Sequence, residues 1–418
     1  MKNQKPLLKK ILAQIKPSIQ EQKKFSVETA AFLKKLNAEL LLHEAKAILG
    51  GSGAKGTWLS GNHDVDVFVA YNYKKYAEKS AALSELLEST LKKAFPQQKK
   101  TRLHGSRDYF QLQYGGSTFE IIPILQIQKA EEAKNITDVS LLHAVWVNKK
   151  AASLKEEILL AKQFCRAQQC YGAESHIGGL SGYVIEILLV TYGSFENFLK
   201  AAVRWGLQDV VDPTGYYKNK DVMFALNKSK LQSPLIVIDP VDKNRNAAAA
   251  FTQEKFYHLK EVAREYLKKP GEEFFTKKKI NWEEEAAKKK LNLVLLELVP
   301  VEGKRDVVGM KLGKIFDFLK KKLAYFQIKQ AHWDWDIMTF LLEKRVIPAE
   351  EVRQGPPLEL TEHVKKFKKT HKETFVKDGK LWAKVAVQHP QLEDFVKAVI
   401  KEKYVVEKVK KVGKVKVE

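Results

Sequence analysis

With 418 residues, 44% of them apolar and 29% charged, the chain is predicted to fold into about two to four domains as a well-folded globular protein, which excludes a disordered one. Lys plus Arg (73) exceed Asp plus Glu (50) by 23, so the surface attracts polyanions and nucleic acid is the leading partner class, although a solvated lysine-rich surface or an anionic membrane would suit the same charge. Two cysteines, Cys165 and Cys170, make a disulfide framework an unsuitable reading, and basic residues interrupt every apolar run near the N-terminus, so the expectation is a reducing, cytoplasmic setting with no secretion signal and no membrane span.

The chain opens with helix-period apolar positions (Leu7, Leu8, Ile11, Leu12, Ile15, then Phe32, Leu33, Leu36, Leu40), predicting two helices around Pro17. "AKAILGGS" reads as a strand ending in a turn, followed by a short helix at 54–59, the alternating strand "DVDVFVAY", a long amphipathic helix at about 74–94, and strands near 108–114 and 117–127. These elements predict a mixed sheet with helices packed on it over residues 1–137. From 138 to 269 the apolar spacing turns helical, predicting a helical middle domain. The Lys-rich stretch 268–290 reads as a linker or exposed connection, and 270–418 alternates strands with helices, an α+β domain of ferredoxin-like or RNA-recognition-like type. Its last fifteen residues alternate Val with Lys and fit either an edge strand or a loose basic tail. Trp333 and Trp335 fit core positions at strand period better than RNA-stacking positions.

Asp64 and Asp66 are the first chemical signal. Residues two apart on a strand project from one face, so these carboxylates point together while Val65 and Val67 enter the core. Side by side they repel unless a cation sits between them, and hard divalent ions prefer such oxygen ligands. A solvent-facing strand with alternating acids is the competing reading. The upstream "GGSG" supplies small residues, with Gly51 and the Ser52 hydroxyl, that allow close backbone approach to an anion; Lys55 adds a cation, and a following helix start would favour negative charge. Glu120, an isolated acid in "STFEIIPILQI", is costly to bury without a metal or partner, and fits either a third metal ligand or an exposed edge acid.

Gly51-Ser52, Asp64-x-Asp66 and a third carboxylate on a later strand resemble the nucleotidyltransferase superfamily of DNA polymerase beta, with its palm fold. "YGAESHIGGLSGYVIEILLVTYGSFENFLKAAVRW" (171–205) and "VIDPVDKNRNAAAAF" (237–251) look like the middle domain of archaeal-type, class I CCA-adding tRNA nucleotidyltransferases. The resemblance covers roughly 35–270 closely and the remainder more faintly. It implies that Asp64, Asp66 and Glu120 hold two Mg²⁺ ions, that Ser52 and Lys55 touch the triphosphate, and that Ser140 and His143 lie near the nucleotide. It further implies triphosphate and sugar contacts for Lys162 and Tyr171, and a base-reading guanidinium for Arg245. Three positions depart from the family's usual pattern with charge retained: Asp64 for Glu, Glu120 for Asp, and Lys55 for Arg.

Read without the family, Lys162 shares a helix face with Arg166 and fits a solvated basic stripe equally well, while His143 and Tyr171 fit packed rings. Arg245 would be a surface ion-pair residue. Asp239 and Asp242 cap its loop or orient it.

The function implied is template-independent addition of CCA to the 3′ end of tRNA from CTP and ATP, with release of pyrophosphate. Partners are then tRNA, CTP and ATP, with no membrane and a homodimer as one oligomeric outcome. The rival readings are a poly(A)-polymerase-like or small-molecule nucleotidyltransferase, and a catalytically silent RNA-binding relative.

Overall fold

Ser18 caps the second helix with a reciprocal box to Glu21, and Pro17 before it separates the first two helices. The computed structural model describes residues 4–61, 64–217 and 222–418, which divide into two compact units, Met1–Lys278 and Lys279–Glu418. Among the described residues no helix is long and apolar enough to cross a membrane.

In the first unit, helices α1 (Lys5–Ile15) and α2 (Ile19–Leu40) lead into β1 (Ala45–Leu49), the single turn α3 (Gly51–Lys55) and β2 (Asp64–Tyr71). Then come α4 (Tyr73–Tyr76), α5 (Leu83–Ala94), β3 (Thr101–Leu103), β4 (Tyr109–Tyr114) and β5 (Ser117–Leu125). The strands form one mixed sheet, ordered β1-β2-β5-β4-β3, in which β2 and β5 run parallel and the other neighbours antiparallel. Period-two alternation sets the faces of β2. Val65, Val67, Val69 and Tyr71 enter the core against α2 and α5, each buried valine contributing ~1.5–3 kcal/mol. Phe68 and Ala70 face the other way, where they meet Ile124, Ile122 and Leu141. That second face, with Asp64 and Asp66 at its N-terminal end, is where the site forms.

Two details of the sequence reading change here. The short helix lies at 51–55, not 54–59, because Gly56 in the left-handed region (φ 65°) ends it. The helix expected over 74–94 is broken into α4, a 3₁₀ segment Ala77–Ala82 with non-helical Lys79, and α5.

The helical half of this unit comprises α6 (Ser140–Lys150), α7 (Lys155–Ala167), α8 (Gly182–Tyr192), α9 (Phe195–Arg204), α10 (Val222–Ala225) and α11 (Gln253–Lys268). A short parallel pair, β6 (Asp209–Val211) and β7 (Leu235–Val237), which the helical reading passed over, is set among them. Their core of Phe164, Phe195, Phe198, Phe256 and Tyr266 also takes in Ile11 of α1 and Phe275, from outside the 138–269 span. Residues 268–290 are therefore not a plain linker. Phe275 is buried, its carbonyl accepts from Gln163 Nε2, and Glu272 is held by Lys10 and Gln14; the boundary between units falls within this stretch.

The second unit begins with α12 (Trp282–Lys289), β8 (Asn292–Pro300) and α13 (Arg305–Leu323), followed by β9 (Ile328–Asp334) and β10 (Ile337–Leu342). It continues through β11 (Glu350–Pro357), α14 (Thr361–Thr370), β12 (Glu373–Lys377), β13 (Lys380–Ala386), α15 (Leu392–Val399), α16 (Lys403–Val406) and β14 (Val409–Val417). An antiparallel sheet β14-β8-β10-β9 buries Leu296, Leu298, Met338 and Phe340 against α13 and α15, and a second sheet, β11-β13-β12, carries α14. The Val/Lys tail is thus an edge strand, β14, pairing with β8. Trp333 is half-buried and stacks on Phe316, as a core reading expects. Trp335 also packs against this core, but from the β9–β10 turn at φ 54° and not from a strand position, under the Arg305 guanidinium at 5.0 Å.

Candidate active site

The loop after β1 is seated on β2 by its backbone. Gly50 N donates to Asp66 O at 2.8 Å, and Gly51, at φ 55°, lies so close that a Cβ there would stand 1.6 Å from Asp66 Oδ2. Gly is required on both counts. The turn α3 is only five residues long, so what it contributes is close backbone approach, not the dipole of an extended helix.

Asp66 is paired in register with Glu120 on parallel β5, and Asp64 with Thr118. In-register neighbours lie roughly 4.8 Å apart. Two acids thus stand side by side on adjacent strands, with Asp64 one pleat away on the same face. Enclosure raises the Asp66 carboxyl above the usual range, Lys55 pulls it down and Asp64 pushes it up. Glu120 Oε1 accepts from Gln111 Nε2 at 3.2 Å. Among the described residues, no three His, Cys, Asp or Glu side chains are drawn together as an ion cluster, so the fit to a divalent ion rests on oxygen chemistry, register and the Gly51 cradle.

Opposite the strand, a cavity of ≈ 180 Å³ is lined by Gly51, Lys55, Asp66, Phe68, Ser140, His143, Ala144 and Tyr183. Of the residues the sequence singled out, Gly51, Lys55, Asp66, Ser140 and His143 meet at this cavity. Asp64, Glu120, Ser52, Lys162, Tyr171 and Arg245 are not part of its lining.

Lys162 is 2% exposed, and its Nζ donates to Glu186 Oε1 at 2.7 Å, Thr57 Oγ1 at 3.0 Å and Thr57 O at 3.1 Å. It is no solvated stripe. Tyr171 bridges to Leu180 beside it, its hydroxyl pushed up to about 12 by burial. Arg245 reaches the cavity's far wall through Asp239, whose Oδ2 accepts from Arg245 Nη1 at 2.5 Å and pairs with His143 Nε2 at 3.1 Å. Asp239 Oδ1 accepts from Tyr183 OH and Val241 N, both at 2.9 Å. The imidazole of His143 stacks on Tyr183, ring centroids 4.0 Å apart. Burial, outweighing Asp239, keeps His143 below its usual value and so neutral at pH 7.

Three contributors escaped the residue-by-residue assignment: Glu186, Tyr183 and the hub role of Asp239. Glu186 had a legible signal, a single acid inside the apolar helix "GYVIEILLVTY". Tyr183 had none.

Asp239 also governs acid stability. Burial opposes its ionisation, but the bonds to His143 and Val241 N and the charge of Arg245 win and hold its carboxyl at about 2, below the ordinary 3.8. Its stabilisation is complete above about pH 4 and disappears as pH falls through 2. Asp239→Asn should cost ~2–3 kcal/mol at pH 7, the free energy carried by a carboxyl held at about 2 instead of 3.8. In urea unfolding series, the gap between parent and variant should close between pH 4 and pH 2; a constant gap would refute the assignment.

Comparison with known proteins follows these elements along the chain. Residues 30–138 match the family model for a nucleotidyltransferase domain, 156–276 that for the second domain of tRNA nucleotidyltransferase, and 312–415 that for the C-terminal domain of the CCA-adding enzyme. The chain is 35% identical over 350 residues to the CCA-adding enzyme of Nanoarchaeum equitans, covering 81% of this chain and 83% of that one. It is 30% identical over 374 residues to that of Pyrococcus abyssi, covering 87% and 82%. Among solved structures, a cytoplasmic RNA terminal U-transferase (15% identity, TM-score 0.50, 66% of this chain and 100% of that one) shares the fold. So does the Cid1 poly(U) polymerase (16%, TM-score 0.51, 66% and 100%). A palm-type sheet with the β2–β5 acids, a helical half closing the cavity, and relatives matched over most of their length place this chain in the CCA-adding enzyme family of tRNA nucleotidyltransferases.

Proposed function

We propose that the chain adds CCA to the 3′ end of tRNA, using CTP and then ATP, by transferring a nucleotidyl group to the terminal hydroxyl and releasing pyrophosphate. The observation that carries this reading is the meeting of Gly51, Lys55 and Asp66 in one cavity, in a chain whose relatives bear the name CCA-adding enzyme. Asp64, Asp66 and Glu120 would hold two Mg²⁺ ions, which when bound lower the pKa of the attacking hydroxyl and neutralise the leaving pyrophosphate.

The rest is positioning by the chain itself. Gly51 lets the backbone approach the phosphates, and Lys55, fixed on the cavity wall, supplies a compact positive charge to them. Neutral His143, held by Asp239 and stacked on Tyr183, presents a flat wall to the nucleoside. Arg245, aimed by Asp239, is the donor set suited to a base edge. Ser140 lines the same cavity, Ser52 follows Gly51 on the loop, and Lys162 and Tyr171, off the lining, would act by supporting the wall and not by touching the nucleotide. The palm (1–137) and helical halves enclose the nucleotide, while residues 279–418 would grip the acceptor stem through its phosphates and A-form shape. A cytoplasmic enzyme and a homodimer are part of the same proposal.

The test is extension of tRNA lacking its last three nucleotides, with each labelled triphosphate alone and with CTP plus ATP. Addition of CCA and no more is the expected product. Extension of unstructured RNA with ATP or UTP alone would favour a tailing polymerase instead, the activity named for the Cid1-type structures being of that kind.

A further inference from the structure

Glu186 is 0% exposed, in the middle of α8, with Ile185 and Ile187 on either side. A lone carboxylate there would be strongly unfavourable, and even a paired one is weak as a stabilising device compared with a leucine. Its bonds suggest what it does instead. Oε2 accepts from Lys55 Nζ at 2.6 Å; Oε1 accepts from Lys162 Nζ at 2.7 Å and from Thr57 Oγ1 at 2.7 Å. Lys55 comes from the turn after β1, Thr57 from the loop behind it, and Lys162 from α7, so one carboxylate ties the palm loop to two helices of the other half. Lys55 alone of this group lines the cavity.

Burial pulls the Lys162 ammonium below its usual value against the attraction of Glu186, so Lys55, at the cavity wall, is the cation of this group placed to meet an anion. Lys162 is a backstop: it shares the carboxylate, and its bond to Thr57 O at 3.1 Å keeps the loop from drifting. The Lys55 ammonium also lies 5.8 Å from the Tyr183 ring centroid, one turn before Glu186 on the same helix. Burial resists ionisation of Glu186, yet the two lysines overcome it and hold its carboxyl below the usual range, so it stays charged at neutral pH.

We propose that Glu186 is a positioning residue for the incoming triphosphate: its carboxylate, braced by Lys162 and Thr57, holds the Lys55 ammonium at the cavity wall. This rests on the reading of the cavity as the nucleotide site. Lys55 is short of the two-pronged geometry of arginine, so a rigid partner is what gives its point charge a fixed direction. Because the ground state and the transition state of the bound nucleotide feel this charge alike, losing it should weaken nucleotide binding more than turnover.

The test is steady-state kinetics on the full-length protein with truncated tRNA. Glu186→Gln is expected to raise KM for CTP and ATP roughly tenfold with kcat changed less than about threefold, and KM for tRNA unchanged. A merely structural role would lower the active fraction and hence kcat, leaving nucleotide KM where it was, and that result overturns the proposal. Should Glu186→Gln fold poorly, Thr57→Val, which keeps shape and removes one brace, should move nucleotide KM the same way by about two- to fivefold. In a Lys55→Met background, Glu186→Gln should add less than about twofold, because the carboxylate acts through that lysine. Multiplying effects would overturn its positioning role while leaving the cavity reading intact. A Lys55→Met variant with unchanged nucleotide KM would overturn the cavity reading and the proposal together.

Discussion

Asp66→Asn should abolish nucleotide addition while making the protein more resistant to heat. The amide keeps the shape of the carboxylate but cannot hold a divalent ion with comparable strength, so turnover should fall by at least about 10³-fold, ~4 kcal/mol in transition-state stabilisation. Stability moves in the opposite direction. The folded value of this carboxyl is raised above its ordinary one by enclosure and by Asp64, so its ionised form at neutral pH works against folding, and an amide relieves that opposition. The two effects would separate catalysis from structure in one variant: rapid-quench turnover should fall, melting temperature should rise, and affinity for tRNA should stay within about twofold. Unchanged turnover would remove Asp66 from the site. A loss of turnover together with a lower melting temperature would make it a structural acid.

Gly51→Ala should be the other severe substitution, and for a reason of space more than flexibility. The added methyl would stand 1.6 Å from Asp66 Oδ2 and 2.5 Å from its Cγ, and at φ 55° the backbone is already one that L side chains rarely adopt. The loop must move off β2, or the carboxylate must turn away. A shift of about 1 Å in a reacting group costs on the order of 10²-fold in rate, and the backbone strain adds ~1–2 kcal/mol of instability. Gly61→Ala provides the comparison. Gly61 has φ 76° but nothing within 4 Å of the place its methyl would take, so it should show the strain without the clash: lower melting temperature, near-normal turnover. Equal loss of turnover at the two positions would mean that backbone strain alone, and not contact with Asp66, explains the Gly51 effect.

Much of the site was legible because its signals are local. The period-two pattern of "DVDVFVAY" assigned Val65 and Val67 to the core and the two acids to a common face, as the sheet has them. The small residues ahead of that strand announced a close backbone approach, which Gly50 and Gly51 make against Phe68 and Asp66. Helix periodicity outlined α7, α8 and α11, though nothing in it marked the left-handed Gly56 as the end of α3 or Lys79 as a break. Resemblance brought in Lys162 and Arg245, whose own neighbourhoods in sequence suggested exposed cations. What surrounds them comes from distant parts of the chain: Thr57 lies 105 residues from Lys162, and Asp239 lies 96 from His143.

The amino-acid sequence by itself determined the strand that carries Asp64 and Asp66, the glycine loop before it, the helical character of 138–269 and the positive surface, since each depends on neighbours within a few residues or on composition alone. Tertiary structure decided which charges meet. It put Glu120 beside Asp66 through the β2–β5 register, turned Lys162 inward onto Glu186, made Asp239 the partner of His143, Tyr183 and Arg245, and converted the Val/Lys tail into an edge strand. The physical reason is that a buried charge has no local code: its position is tolerable only where chains far apart in sequence bring it a counter-charge or a donor, and that meeting exists in the folded state alone.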